Sequence, residues 1–287
     1  MGARDLARRI GAVVALAAVL ALGAGAALAQ EVQQVKVNRV KALLAEGKPA
    51  FGVLMTLPSA PAAQALARTG IDWLWIDLEH GPIGIETAHH MVMATQGTEV
   101  VPVVRVPWNL HWLAKPAVDI GAMGVVFPFI RTPEDARAAV ESVRYPPDGV
   151  RGFGPGYAAL RWGLPVPDYV ELANREVMAI LMIEHVEAVA RIDELLAVEG
   201  IDLVFVGPSD LSGTLGVLGR TTEPRVEQAI QAVLAAAKAA RVPAGIVAFT
   251  SADARRRLDE GFRFLAVGVD TLFLAGGARA ILGELRN

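Results

Sequence analysis

Eight short apolar runs, set at intervals between helix-like segments, restrict the architecture of this chain more than any other feature. They are "FGVLMTL" (51–57), "WLWIDLE" (73–79), "VVPVVRV" (100–106), "GVVFPFI" (124–130), "MAILMIE" (178–184), "DLVFVG" (202–207), "AGIVAF" (244–249) and "FLAVGVD" (264–270). Each is almost continuously apolar, as in strands covered on both faces. Helical patterns such as "TPEDARAAVESVR" and "EPRVEQAIQAVLAAAKAA" separate most of them. Strand–helix alternation demands parallel pairing through crossover helices. Eight repeats and a closing helix, "TLFLAGGARAILGEL", predict an α/β fold: a single-domain (β/α)8 TIM barrel, with an open doubly wound sheet as the alternative. The stretch 145–175, between the fourth and fifth runs, exceeds a plain connection, and its Gly and Pro content predicts an ordered loop covering something.

The first 29 residues carry a different signal. Arg4, Arg8 and Arg9 precede an apolar, Ala-rich run that ends in Ala27-Leu28-Ala29. This is the pattern of a secretory signal peptide, 1–29, cleaved to leave a barrel domain spanning 30–287. An uncleaved membrane anchor is the alternative, because the run approaches the length of a bilayer span. Cleavage implies a periplasmic protein with no stable membrane association. It removes three Arg and one Asp, moving the formal net charge from −3 to −5. An acidic chain without a basic run argues against a nucleic-acid partner. With no cysteine, an oxidising compartment imposes no disulfide chemistry.

In a barrel of this kind the active site forms at the C-terminal ends of the strands. Those ends read Thr56; Asp77, Glu79 and His80; Arg105; Arg131; Glu184; Asp210; and Asp270, whereas the N-terminal ends are apolar. Glu184 and Asp210 end the neighbouring fifth and sixth runs. Two such carboxylates either repel or share a cation, and hard divalent ions take one or two carboxylates with several waters. The other reading makes Ser209 or Asp210 a helix N-cap within "GPSDLSG". His80 stands at a strand end before a Gly-Pro turn, and Asp77 and Glu79 either position it or bond to backbone in that turn. His185 follows Glu184 and is expected to point away from it. Arg105 needs an anionic or carbonyl partner, either a substrate or the protein's own Asp77 or Glu79. No Walker loop is present, nor a Gly-rich phosphate motif after the seventh or eighth run; "RGFG" (151–154) reads as a loop bend, and no lysine ends a strand, which disfavours a Schiff base. Metal-assisted stabilisation of an enolate remains.

The segments "WIDLEHGP", "PVVRVPWN", "DIGAMGVVFPFI", "RYPPDGVRGFG", "MIEHVEAV", "VEGIDLVFVGPSDLSGTLG" and "FLAVGVDTLFL" resemble, in this order, the HpcH/HpaI aldolase family. Its members include 4-hydroxy-2-oxoheptanedioate aldolase-like enzymes, class II metal-dependent aldolases acting on 2-oxo acids. The resemblance runs from about Gly47 to about Leu274. It implies a (β/α)8 barrel assembled as a trimer of dimers through an exchanged terminal helix. It implies that Glu184 and Asp210 bind a divalent metal (Mg²⁺, Mn²⁺ or Co²⁺). His80 is then the general base, and Arg105 stabilises the developing charge. Ser209, with Asp210, meets the substrate carboxylate through a backbone N–H. Asp119 matches an acid that raises the basicity of the histidine, although the run order puts it at the far rim, within reach of His80 only across a subunit interface. Met182 departs from the Gln the family often carries two residues before the metal Glu. A thioether cannot replace an amide donor, so this marks a subfamily and bears on the substrate. The expected reaction is reversible aldol cleavage of a 4-hydroxy-2-oxo acid to pyruvate, or a similar 2-oxo acid, and an aldehyde. The alternatives are a citrate-synthase-like enzyme forming a C–C bond on the same fold and a non-catalytic secreted 2-oxo-acid-binding protein.

Overall fold

The computed structural model describes residues 38–286, so the leader 1–29 lies outside the described residues. Eight strands, β1 (Ala50–Met55), β2 (Trp73–Asp77), β3 (Val101–Arg105), β4 (Gly124–Phe127), β5 (Met178–Ile183), β6 (Leu203–Val206), β7 (Ala244–Val247) and β8 (Phe264–Val269), close into a barrel in chain order. Every pair is parallel. The expected (β/α)8 barrel is therefore the fold, and the open sheet is excluded. No helix among the described residues is long and apolar enough to cross a membrane.

Each strand sends alternate side chains inward and outward. The inward set, including Trp73, Trp75, Val103, Ile180, Phe205 and Phe264, fills the barrel, and Val40 and Leu44 of the helix Arg39–Ala45 join it. The outward set meets the helices in a second apolar layer. The wide Trp73 indole fits inside only because glycine stands opposite. Gly52 pairs in register with Trp73, and a methyl group on it would come 2.0 Å from the indole. That indole stacks on Phe264 with ring centroids 3.9 Å apart and has nowhere to retreat. Gly52→Ala is accordingly expected to lower stability by about 1–3 kcal/mol through overpacking. Equilibrium denaturation checks this; an unchanged midpoint would mean that the Trp73 layer yields freely.

The stretch 145–175 corrects the sequence expectation. It is not one loop but holds two helices, Gly156–Trp162 and Val166–Glu176. Gly163, at φ +60°, ends the first in the left-handed conformation. The second buries Tyr169 and Ala173 on one face. The insertion does not cover the C-terminal rim. Trp162 Nε1 donates to Gly121 O, just before β4, at 3.3 Å, and Glu176 accepts from the N–H of Asn38 at 2.8 Å. It packs beside the N-terminal ends of the strands, the rim opposite the charged residues. The terminal helix, Asp270–Arg286, buries only its first residue and exposes Leu272, Phe273, Leu274, Ile281, Leu282 and Leu285.

Candidate active site

Strand register alone brings the first two charges together. β2 and β3 pair so that Asp77 stands opposite Arg105, two residues beyond the inward pair Trp75 and Val103. Both side chains therefore enter the barrel mouth, and the Arg105 guanidinium lies 5.4 Å from the Trp75 ring centroid. Arg105 Nε donates to Asp77 Oδ1 at 2.9 Å, and Nη2 donates to Asp77 Oδ2. Nη1 lies 3.0 Å from Glu79 Oε2 and donates to Met182 Sδ at 3.6 Å. The Glu79 contact is an ion pair and not a directed hydrogen bond, since Oε2 meets no donor in bonding geometry. Burial lowers the pKa of Arg105, but the bond from Asp77 and the charges of Asp77, Glu79 and Glu184 outweigh it and hold it above the usual value. The protein thus supplies the anionic partners of Arg105 itself.

Asp77 also accepts the backbone N–H groups of Glu79 (3.0 Å) and His80 (3.2 Å). Gly81 then turns the chain where a methyl group would come 2.5 Å from the Asp77 carbonyl oxygen. The His80 side chain emerges 59% exposed, with Nε2 3.8 Å from Glu79 Oε2. Burial raises the pKa of Glu79, against the lowering effects of Arg105 and His80.

Glu184 follows β5 and is 1% exposed. Its Oε1 accepts the N–H of Phe129 at 2.8 Å. Phe129 holds φ +52°, a left-handed conformation that costs a non-glycine residue on the order of 1 kcal/mol. Sequence reading missed this residue, because a main-chain donor at a strained phenylalanine has no side-chain signature. Burial pushes the Glu184 carboxyl up to about 7; the Phe129 bond lowers it, and the charges of Asp210 and Glu79 raise it further.

Asp210 does not end a strand as expected. Pro208 starts the helix Pro208–Thr214 directly after β6, with Asp210 in its first turn. The cap residue is Gly207, so neither Ser209 nor Asp210 is the N-cap. The Asp210 side chain makes no hydrogen bond or ion pair among the described residues, yet its charge reaches Glu184. Ser209 is exposed, and its N–H precedes the first bond of the helix, from Leu211 N–H to Gly207 O. At Gly207 a methyl group would stand 2.6 Å from Glu184 Oε2 and 3.2 Å from Met182 Cε. The backbone there, φ −100°, suits any residue, so the clash alone is at issue. Gly207→Ala is expected to turn the Glu184 carboxylate and weaken divalent-ion binding by about tenfold or more, the scale of a disturbed ligand orientation. Titration calorimetry with Mn²⁺ is the check, and wild-type affinity would show that Oε2 does not face the ion.

The other rim residues have structural duties. Asp270 accepts from Thr56 N and Oγ1, Leu57 N and Thr271 N, tying β1 to the start of the terminal helix. His185 turns away from the site as expected and caps the helix Val186–Ala190 through Nδ1, which accepts from Glu187 N–H at 3.2 Å. Arg131 lies 3.9 Å from Glu187. Asp119 ends the helix His111–Asp119 and pairs with Arg151 at 3.0 Å, so within one chain its partner is Arg151 and not His80.

Asp77, Glu79 and Glu184 thus gather around one guanidinium, and the charge of Asp210 reaches Glu79 and Glu184. Such an excess of buried negative charge suits a cation. No group of three or more His, Cys, Asp or Glu side chains in a metal-holding arrangement occurs among the described residues. The protein's own share of a metal site would be Glu184 and Asp210, a hard two-carboxylate donor set of the kind that leaves positions for water and substrate.

A parallel barrel whose one rim gathers acids, a guanidinium and an imidazole over an apolar interior is the plan of a barrel enzyme for small polar molecules. Comparison with known proteins makes this specific: residues 51–275 match the HpcH/HpaI aldolase/citrate lyase family, and the chain belongs to that family. It is 42% identical over 233 residues to the 5-keto-4-deoxy-D-glucarate aldolase of Salmonella paratyphi A, covering 81% of this chain and 91% of that one. An HpcH/HpaI aldolase/citrate lyase family protein from Burkholderia cenocepacia is 38% identical, with a TM-score of 0.81, and the match covers 88% of this chain and all of that one. The citrate synthase SbnG is 28% identical with a TM-score of 0.78, covering 86% of this chain and 96% of that one.

Proposed function

We propose that this chain is a divalent-metal-assisted aldolase, a carbon–carbon lyase that reversibly cleaves a 4-hydroxy-2-oxo acid to pyruvate, or a similar 2-oxo acid, and an aldehyde. The observation that carries this reading is the pair Glu184 and Asp210. They are mutually repelling carboxylates at one rim, the Asp210 carboxylate without a hydrogen bond or ion pair among the described residues, near a guanidinium and an exposed imidazole. The aldolase relatives, named for a keto-deoxy sugar acid, support the substrate class.

Glu184 and Asp210 would hold a divalent ion (Mg²⁺, Mn²⁺ or Co²⁺), which would supply Lewis-acid stabilisation for negative charge on the 2-oxo group. The chain's own residues do the rest. His80, exposed at the mouth, takes the proton of the 4-hydroxyl. The C3–C4 bond then breaks, its electron pair passes to C3 and the aldehyde leaves. The Nη1 edge of Arg105 donates to the enolate oxygen. The Ser209 N–H meets the substrate carboxylate. Return of the proton from His80 to C3 gives the 2-oxo acid. Asp119 serves His80 only from a neighbouring subunit. The exposed apolar residues of the terminal helix support a homo-oligomer, with a trimer of dimers as the expected form. Export to the periplasm after cleavage of residues 1–29 completes the reading, with cell fractionation as its check.

The test is a metal-supplemented screen of assorted hydroxy-oxo acids for release of pyruvate. Turnover that chelation removes and Mg²⁺, Mn²⁺ or Co²⁺ restores is the expected result. The likeness to citrate synthase SbnG favours a second reading, in which the same enolate attacks another electrophile. C–C bond formation from oxaloacetate, with no retro-aldol activity across the panel, would replace the first reading with the second.

A further inference from the structure

One carboxylate of the rim is buried and turns both its oxygens to donors of the protein. Asp77 is 1% exposed. Its Oδ1 accepts from Arg105 Nε (2.9 Å), Glu79 N (3.0 Å) and His80 N (3.2 Å), and its Oδ2 accepts from Arg105 Nη2. Four protein donors thus surround the carboxylate, three on Oδ1 and one on Oδ2, and burial closes it to solvent. Asp77 therefore faces the protein and not the substrate. What it controls is the orientation of Arg105.

The two side-by-side bonds fix the plane of the guanidinium and turn its Nη1 edge away from Asp77. That edge meets Glu79 Oε2 at 3.0 Å, without directed bonding, and Met182 Sδ at 3.6 Å. Thioether sulfur is a weak acceptor, so the N–H facing it is the one a substrate oxygen can take. The backbone bonds from Glu79 and His80 hold Asp77 itself in place. We propose that Asp77 is a positioning residue: it sets the angle at which Arg105 presents its Nη1 edge to the substrate. The inference rests on the aldolase reading above.

Asp77→Asn isolates the effect. The Asn oxygen still accepts from Arg105 Nε and both backbone groups, whereas its NH₂ faces the Nη2 donors and breaks the second bond. Retro-aldol kinetics are measured for the wild type, Asp77→Asn, Arg105→Ala and the double variant, with kcat and KM separated and Mn²⁺ affinity read by calorimetry. The expected loss in Asp77→Asn is about 10–100-fold in kcat, the cost of slight misplacement of a catalytic group, with KM and Mn²⁺ affinity within about twofold. In the Arg105→Ala background the same exchange should lower kcat by less than about threefold, because residues acting through each other are non-additive. A purely structural role predicts additive losses, and that result overturns the inference, as does wild-type kcat in Asp77→Asn. Should Asp77→Asn alone fail to fold, Arg105→Met provides the background, with no cation left to aim. Residual kcat there must be indifferent to Asp77→Asn, and a further fall overturns the inference. A wild-type protein without turnover overturns the aldolase reading and the inference with it. Turnover in the wild type with additive losses overturns the inference alone.

Discussion

Exchange of Glu184 for Gln is expected to lower metal-dependent turnover by at least about 10²-fold, the order lost when a principal electrostatic stabiliser of the transition state is removed. The substitution keeps the shape of the side chain. A Gln oxygen still accepts the Phe129 N–H now bonded to Glu184 Oε1, but the charge beside Asp210 is gone. Mn²⁺ affinity should fall with turnover in a protein that still unfolds cooperatively, which distinguishes ligand loss from misfolding. Thermal stability gives a second reading. The folded carboxyl titrates at about 7 and its unfolded counterpart at 4.5. Between these values the folded chain holds a proton that the unfolded chain has released, so this group's contribution is fully present below pH 4.5 and is lost as pH rises through about 7. Metal-free wild type should therefore lose stability between pH 5 and pH 8 relative to Glu184→Gln, and Mn²⁺ at pH 8 should restore the wild type alone. Equal pH profiles for the two proteins would mean that Glu184 ionises freely and does not belong to a strained acidic pair.

His80→Ala is expected to reduce kcat by about 10²–10⁴-fold, the range for removal of a general base. The imidazole is 59% exposed and packs little, so stability should change by less than about 0.5 kcal/mol. Mn²⁺ affinity should stay at the wild-type value, because the carboxylates that would hold the ion belong to other segments, Glu184 after β5 and Asp210 in the helix after β6. Added imidazole should return part of the lost rate. Full metal-dependent retro-aldol activity in His80→Ala would remove His80 from the mechanism and pass the proton to Glu79, the other group at that position.

Much of this arrangement is legible in the sequence, and its gaps share a physical cause. Apolar continuity in eight runs reports burial on both strand faces, and burial on both faces with intervening helices leaves few folds open. Alternation along "WLWID" and "VPVVR" places Asp77 and Arg105 on the inner face, but only strand register decides that they face each other. For Arg105 two partners were open, and that pairing selected the protein's own carboxylates. Asp210 was displaced from the predicted strand end because Pro208 starts a helix one residue after Gly207. The 145–175 helices were hidden by their prolines and glycines, which mark a helix start and stop here and not a continuous loop. Phe129 left no trace at all. Its role is carried by a peptide N–H and a dihedral angle, and neither is written in side-chain chemistry.

That last feature affects how such a rim can diverge. The Glu184 carboxylate is aimed by a peptide group, and any residue except proline brings the same N–H to position 129. Its orientation is inherited from the path of the main chain after β4 and from the space that Gly207 leaves beside it. Side chains elsewhere on the rim are thus free to drift toward new substrates while the acid keeps its bearing.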